Sequence, residues 1–196
     1  MTTLIFATNN ENKVREMRSV IRNNYSIISL KEAGINIDIP EPFDTLEANA
    51  TEKSKVISNL TNKNCFSEDT GLEVFSLGGR PGAYSARYAG ENKNSRDNNL
   101  KVLDELSPHS DRSAQFRTII SLILNKKEYT FEGICKGTIL AYEQGNKGFG
   151  YDPIFIPSGS KKTFADMDID EKNEFSHRKL AVYKMIDFLN ITKTNS

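Results

Sequence analysis

LIFATNNENKVREMRSVIRNNYSIISL, residues 4–30, decides the fold class. Leu4 to Thr8 is a short apolar run that breaks at Asn9-Asn10, the pattern of a buried strand running into a turn. Val14, Met17, Val20 and Ile21 then recur at the spacing of one helix face. Residues 25–30, YSIISL, read as a second strand. Strand, helix and strand in so short a span, with a further helix after the next loop, predict an α/β architecture. The same stretch poses an electrostatic problem. Lys13 falls in the first turn of the helix, where a cation opposes the positive end of the helix dipole. A bound anion resolves the conflict, and Thr8, Asn10, Lys13 and the free N–H groups of the helix start can all meet one. An ordinary Asn cap also accounts for part of the pattern. The segment has no glycines, so it is not a Walker-type phosphate loop.

Asp44 and Glu47 form a capping-box variant ahead of the next helix. Leu46, Ala50, Ile57 and Leu60 share one face of it, and Lys53 lies in the middle of that apolar stripe. A lysine there either snorkels past the core edge or points into a polar site. CFSEDTGLEVF (65–75) reads as strand, acidic turn, strand. Its two adjacent acids suit a hard cation through oxygen ligands, or a solvated β-turn. LGGRPGAYSARYAG (77–90) is a structured loop, and Asn98–Leu106 carries a short helical pattern. FRTIISLIL (116–124) and EYTFEGICKGTILAY (128–142) predict a hairpin across Asn125-Lys126-Lys127. In GNKGFGYDP (145–153) the glycines free the backbone around Phe149, whose ring either stacks on a base or packs under a tight turn. Ser176 is the expected cap of a last helix packed through Leu180, Tyr183, Ile186 and Leu189. Lys172, His177 and Arg178 gather near its start and offer donors to a carbonyl or a phosphate. TKTNS (192–196) is expected to fray.

Composition narrows the function. The 26 basic and 26 acidic residues balance, which argues against a broad nucleic-acid surface. No apolar run approaches a membrane span, and no charged leader or cleavage site opens the chain. Cys65 and Cys135 belong to no CxxC pair and are expected to be reduced and buried, as in a cytoplasmic protein.

TNNENK, SEDTGLEVFSLGGRPGAYSARYAG, GFGYDPIF and EKNEFSHR, in this order, resemble the inosine/xanthosine triphosphate pyrophosphatase family over about Leu4 to Ile186. The resemblance implies a long mixed central sheet flanked by helices in one domain of two lobes, with the active-site cleft between them. It also implies Mg²⁺-dependent hydrolysis of deaminated purine nucleoside triphosphates (ITP, dITP, XTP) to monophosphate and pyrophosphate, by a homodimer. Carried over residue by residue, Thr8, Asn9, Asn10, Glu11, Asn12 and Lys13 would contact phosphate, with Lys53. Asp69 would be catalytic and a metal ligand with Glu41, and Thr70 a substrate contact. Phe149, Gly150, Tyr151 and Asp152 would line the base pocket with Lys172, His177 and Arg178. Glu68, Thr70 and Asp170 depart from the family's usual residues while keeping charge or hydroxyl, which leaves open whether Glu68 touches the metal.

Overall fold

A computed structural model describes residues 2–21 and 25–194. Six strands, β1 (Thr2–Phe6), β2 (Tyr25–Ser29), β3 (Cys65–Val74), β4 (Ser113–Leu124), β5 (Lys127–Ile139) and β6 (Phe155–Pro157), form one sheet in the order β2-β1-β3-β4-β5-β6. β1 runs parallel to both β2 and β3, and β6 is antiparallel to β5, so the sheet is mixed. The helices are α1 (Glu11–Val20), α2 (Leu46–Thr61), α3 (Ser95–Leu106), α4 (Ile169–Phe175) and α5 (His177–Thr194). The α/β class expected from the strand-helix-strand pattern and the mixed sheet implied by the resemblance are both present. Among the described residues no helix is long and apolar enough to cross a membrane.

The chain divides into two compact units. The first comprises Met1–Asp69, Thr118–Gly133 and Arg178–Ser196. Its strand β1 is buried on both faces, as a parallel strand must be. Leu4 and Phe6 join α1 (Val14, Met17) and α5 (Ala181, Val182, Met185, Leu189) in one cluster. Ile5 and Ala7 join Ile57 of α2, with Cys65 and Ile123, in another. The Phe6 and Phe66 rings stack at 4.5 Å. Each fully buried Met, Leu or Phe here contributes about 1.5–3 kcal/mol of hydrophobic stabilisation. The second unit comprises Thr70–Arg117 and Ile134–His177, and its core gathers Leu72, Val102, Leu106, Phe116, Phe155 and Phe164. Both cysteines are free and buried, and burial pushes each thiol up to about 12.

Three local expectations are corrected. SEDTG is not a turn: β3 runs unbroken from Cys65 to Val74. Gly71 serves packing instead, since a Cβ there would lie 2.4 Å from the Gly82 carbonyl oxygen. The cap of α2 is Thr45, whose hydroxyl accepts from Ala48 N–H at 3.2 Å, and not Asp44. The last helix follows Ser176 as expected, and a short helix, α4, opened by an Asp168–Glu171 capping box, precedes it. In α5, Leu180 and Tyr183 are exposed while Ala181, Val182, Met185 and Leu189 are buried. Ile186 and Leu189 pack as expected, but the helix carries apolar residues on several faces, so spacing alone also chose the exposed Leu180 and Tyr183. The predicted hairpin is present as β4 and β5, and its turn residues Asn125 and Lys126 have φ of 51° and 66°. Two successive positive φ values are what a tight two-residue hairpin turn requires. The fraying expected of 192–196 falls partly outside the described residues.

Candidate active site

The first unit holds a chain of alternating charges. Lys53, on the apolar stripe of α2, is buried, and its Nζ bonds to Glu41 Oε1 and to Asp69 Oδ1, the latter at 3.0 Å. Of the two readings open for Lys53, the polar one holds. Burial pulls its pKa down, but Asp69 and Glu41 outweigh burial and hold it above the ordinary lysine value. The opposite balance governs Asp69. Burial raises its carboxyl more than Lys53 and Lys13 pull it down, and Glu41 adds to the rise. Asn49, one turn before Lys53 on the same face, donates to Asp69 Oδ2 at 3.3 Å.

A second cluster adjoins this one along β3. Lys13 Nζ lies 3.1 Å from Glu68 Oε1, and Arg178 Nε donates to Glu68 Oε2 at 2.7 Å. Arg178 Nη1 donates to Glu16 of α1. Burial pushes the Glu68 carboxyl up, but the Arg178 and Lys13 charges overcome it and hold the pKa at about 2. Here is a partner for the cation at the dipole's positive end: Glu68 supplies the anion that Lys13 calls for. Asn10 caps α1, accepting from Asn12 and Lys13 N–H at 3.0 and 3.2 Å, and Thr8 Oγ1 accepts from Asn10 N–H. Asn9 donates to the Ile37 carbonyl at 2.9 Å. Asn12 accepts from Arg15, and Glu11 is exposed at the helix start.

The second unit holds a different arrangement. Lys172 Nζ pairs with Asp152 Oδ2 at 2.6 Å and lies 5.1 Å from the centroids of both the Phe149 and Phe164 rings. Asp152 Oδ2 also accepts from Phe149 N–H at 2.9 Å. Only glycine fits beside that oxygen: at Gly148, with φ +72°, a Cβ would lie 2.0 Å away. Phe149 is half-buried, not freely exposed, and Gly150 has φ +62° with open space at its Cβ position. Tyr151 turns inward, donating its hydroxyl to the Ser85 carbonyl at 2.7 Å. His177 stacks on Phe116 at 4.8 Å, nearly parallel. Thr70 is half-buried on β3. Arg178 therefore parts from Lys172 and His177, with which the sequence grouped it. Consecutive helix residues point about 100° apart, and Arg178 turns to Glu68 and Glu16.

Residues 4–188 match the sequence model of the Ham1 family. The chain belongs to the Ham1 family. A dITP/XTP pyrophosphatase of Flavobacterium johnsoniae is 47% identical over 190 residues, covering 97% of this chain and 99% of that one. The Staphylococcus aureus Ham1 protein superposes with a TM-score of 0.86 at 37% identity, covering 96% of this chain and 98% of its own. A HAM1 protein from Coxiella burnetii gives 0.88 at 33%, covering 97% and 99%.

Within this Ham1 chain, Asn49 and Glu16 are site neighbours that sequence reasoning missed. Asn49 carried a usable signal, since it precedes Lys53 by one helical turn on the same buried stripe. Glu16 carried none, because its partner Arg178 lies 162 residues away. Among the described residues, no group of three His, Cys, Asp or Glu side chains is gathered to hold a metal ion.

Proposed function

We propose that this protein hydrolyses deaminated purine nucleoside triphosphates, dITP and XTP among them, to the monophosphate and pyrophosphate. The observation that carries the proposal is Lys53 held between Glu41 and Asp69 in the buried part of a Ham1 fold. Two carboxylates that converge on one ammonium are close enough to share a small hard cation. Mg²⁺ is commonly bound by one or two carboxylates completed by phosphate oxygens, so the absence of a third acid does not tell against it. The donor set fits, and Glu41 and Asp69 would hold the ion, with Glu68 committed to Lys13 and Arg178. When bound, the ion supplies phosphate charge neutralisation and a more acidic water.

The chain's own residues do the rest. Water attacks the α-phosphorus, the α–β bridging oxygen leaves with pyrophosphate, and Asp69 takes the water's proton. Burial makes its carboxylate a better base than a solvated Asp. Lys53 and Lys13 stabilise the charge that grows on the leaving group. On the second unit, the Lys172 ammonium beside the Phe149 ring offers a donor and a stacking surface to a purine. A donor there favours the 6-carbonyl of hypoxanthine and xanthine over the 6-amino group of adenine. The reading extends to a homodimer in the cytoplasm. The first is what the sequence resemblance implies, and the two free cysteines fit the second.

Incubation with Mg²⁺ and dITP, XTP, GTP, ATP, dTTP or dUTP, with pyrophosphate and orthophosphate measured separately, tests this. Pyrophosphate released preferentially from dITP and XTP is the expected result. A pyrimidine preference would reassign the substrate, tight binding without turnover would make the protein a sensor, and orthophosphate would place attack at the γ-phosphorus. Lys13→Ala should raise the nucleotide KM about tenfold while Tm falls by only a few degrees, because Arg178 still holds Glu68. An unchanged KM with a large loss of Tm would leave Lys13 a purely structural role.

A further inference from the structure

The segment that carries Glu41 has no regular structure: residues 35–45 run as turnless coil and bends into α2. Pro40 and Pro42 flank Glu41, and neither has an N–H to anchor the backbone. The anchor comes instead from a side chain. Asn49, fully buried, accepts from Phe43 N–H at 3.0 Å and donates to the Phe43 carbonyl at 3.0 Å. Its amide thus pairs with a backbone residue as another peptide would. The same Nδ2 donates to Asp69 Oδ2 at 3.3 Å. One rigid amide therefore grips the loop two residues from Glu41 and, through its other hydrogen, the acid on β3. Because Phe43 fixes both ends of the amide, the group cannot flip without losing both bonds. Asp69 is left with Oδ2 turned to Asn49 and Oδ1 turned to Lys53, the group that Glu41 also meets.

We infer that Asn49 is a positioning residue that sets the spacing and orientation of the Glu41 and Asp69 carboxylates, and so tunes the affinity of this pair for a divalent cation. The inference rests on the cation reading proposed above. Outer partners of metal ligands commonly change metal affinity 10–100-fold when removed, which sets the scale expected here. Other residues of α2 hold the helix to the sheet without touching either acid. Ile57, in the apolar core, is one of them and provides the control.

The test compares wild type, Asn49→Leu and Ile57→Ala. Asn49→Leu keeps the branched shape at a larger volume and removes all three bonds; Asn49→Ser removes the same amide bonds with a smaller side chain and serves should the leucine variant not fold. In metal-free protein without nucleotide, hydrogen exchange of the Phe43 amide should quicken at least tenfold in the Asn49 variants and stay unchanged in Ile57→Ala. In turnover of dITP, the Mg²⁺ concentration for half-maximal rate should rise about tenfold or more in the Asn49 variants, with the nucleotide KM at saturating Mg²⁺ moving less than about threefold. Ile57→Ala should lower Tm and leave the Mg²⁺ requirement alone. Asn49 variants that lose Tm as Ile57→Ala does, with Phe43 exchange and the Mg²⁺ requirement at wild-type values, would overturn the inference. Wild-type turnover undiminished by a chelator would instead sink the cation reading beneath it, while Phe43 exchange would still report on the clamp.

Discussion

Asp69→Asn will lower kcat for dITP by about 10³-fold and leave the chain folded. The two halves of this expectation come from one property of the site. Burial lifts the Asp69 carboxyl above its ordinary value, against the pull of Lys53 and Lys13. A carboxyl whose pKa is raised by folding destabilises the native state once ionised, so stability is lost as pH rises through the folded value. An uncharged amide of the same shape removes the cost of burying this charge, while Lys53 loses the stronger of its two acidic partners, so the two effects on stability oppose each other. Lys53 keeps Glu41 as a partner. The amide loses the proton-accepting oxygen that the reaction needs. A Tm within a few degrees of the wild-type value beside a collapsed kcat is the expected pairing. A kcat within tenfold of wild type would remove Asp69 from the catalytic role.

Arg178→Met will destabilise the protein by about 3–5 kcal/mol, a fall in Tm of about 10 °C. Arg178 is buried and joins Glu68 on β3 to Glu16 on α1, both acids being buried too. Methionine fills the space but leaves two buried carboxylates with Lys13 as the remaining cation for Glu68. The sign of the pH dependence follows from Glu68. Its pKa falls from 4.5 in its ordinary state to about 2 in the fold, so its contribution is present above pH 4.5 and lost as pH drops toward 2. The variant's acids protonate at higher pH and relieve their own burial sooner. Thermal melts at about pH 7 and about pH 3 should show the gap between wild type and variant narrowing in acid. A gap of equal size at both values would mean that the loss is one of packing and not of charge.

The legible parts of this molecule were those written in local spacing. Lys53 stood out because an apolar stripe at helical period had one cation in its middle, and the fold puts that cation against two acids. The strand-helix-strand opening and the Asn-Lys hairpin turn were legible for the same reason. Gly71 misled: beside two acids it looks like a turn residue, whereas it makes room for the backbone of Gly82. The stripe of α5 misled because Leu180 and Tyr183 fit a helical spacing as well as the residues that pack. What could not be read was partnership across long separations. Nothing local tells Arg178 that Glu68 lies 110 residues upstream, or that Glu16 lies beyond it. Charge balance does require that a buried arginine find acids, but choosing among 26 of them takes the fold.

The chain passes from one compact unit to the other at 69/70, 117/118, 133/134 and 177/178. Three of these passages fall inside continuous strands and the fourth at the head of the last helix. None of these four crossings is a linker, and neither unit is a contiguous stretch of the chain. A cut made at any of the four crossings breaks a strand or a helix, so the two units must be made and folded as one thread.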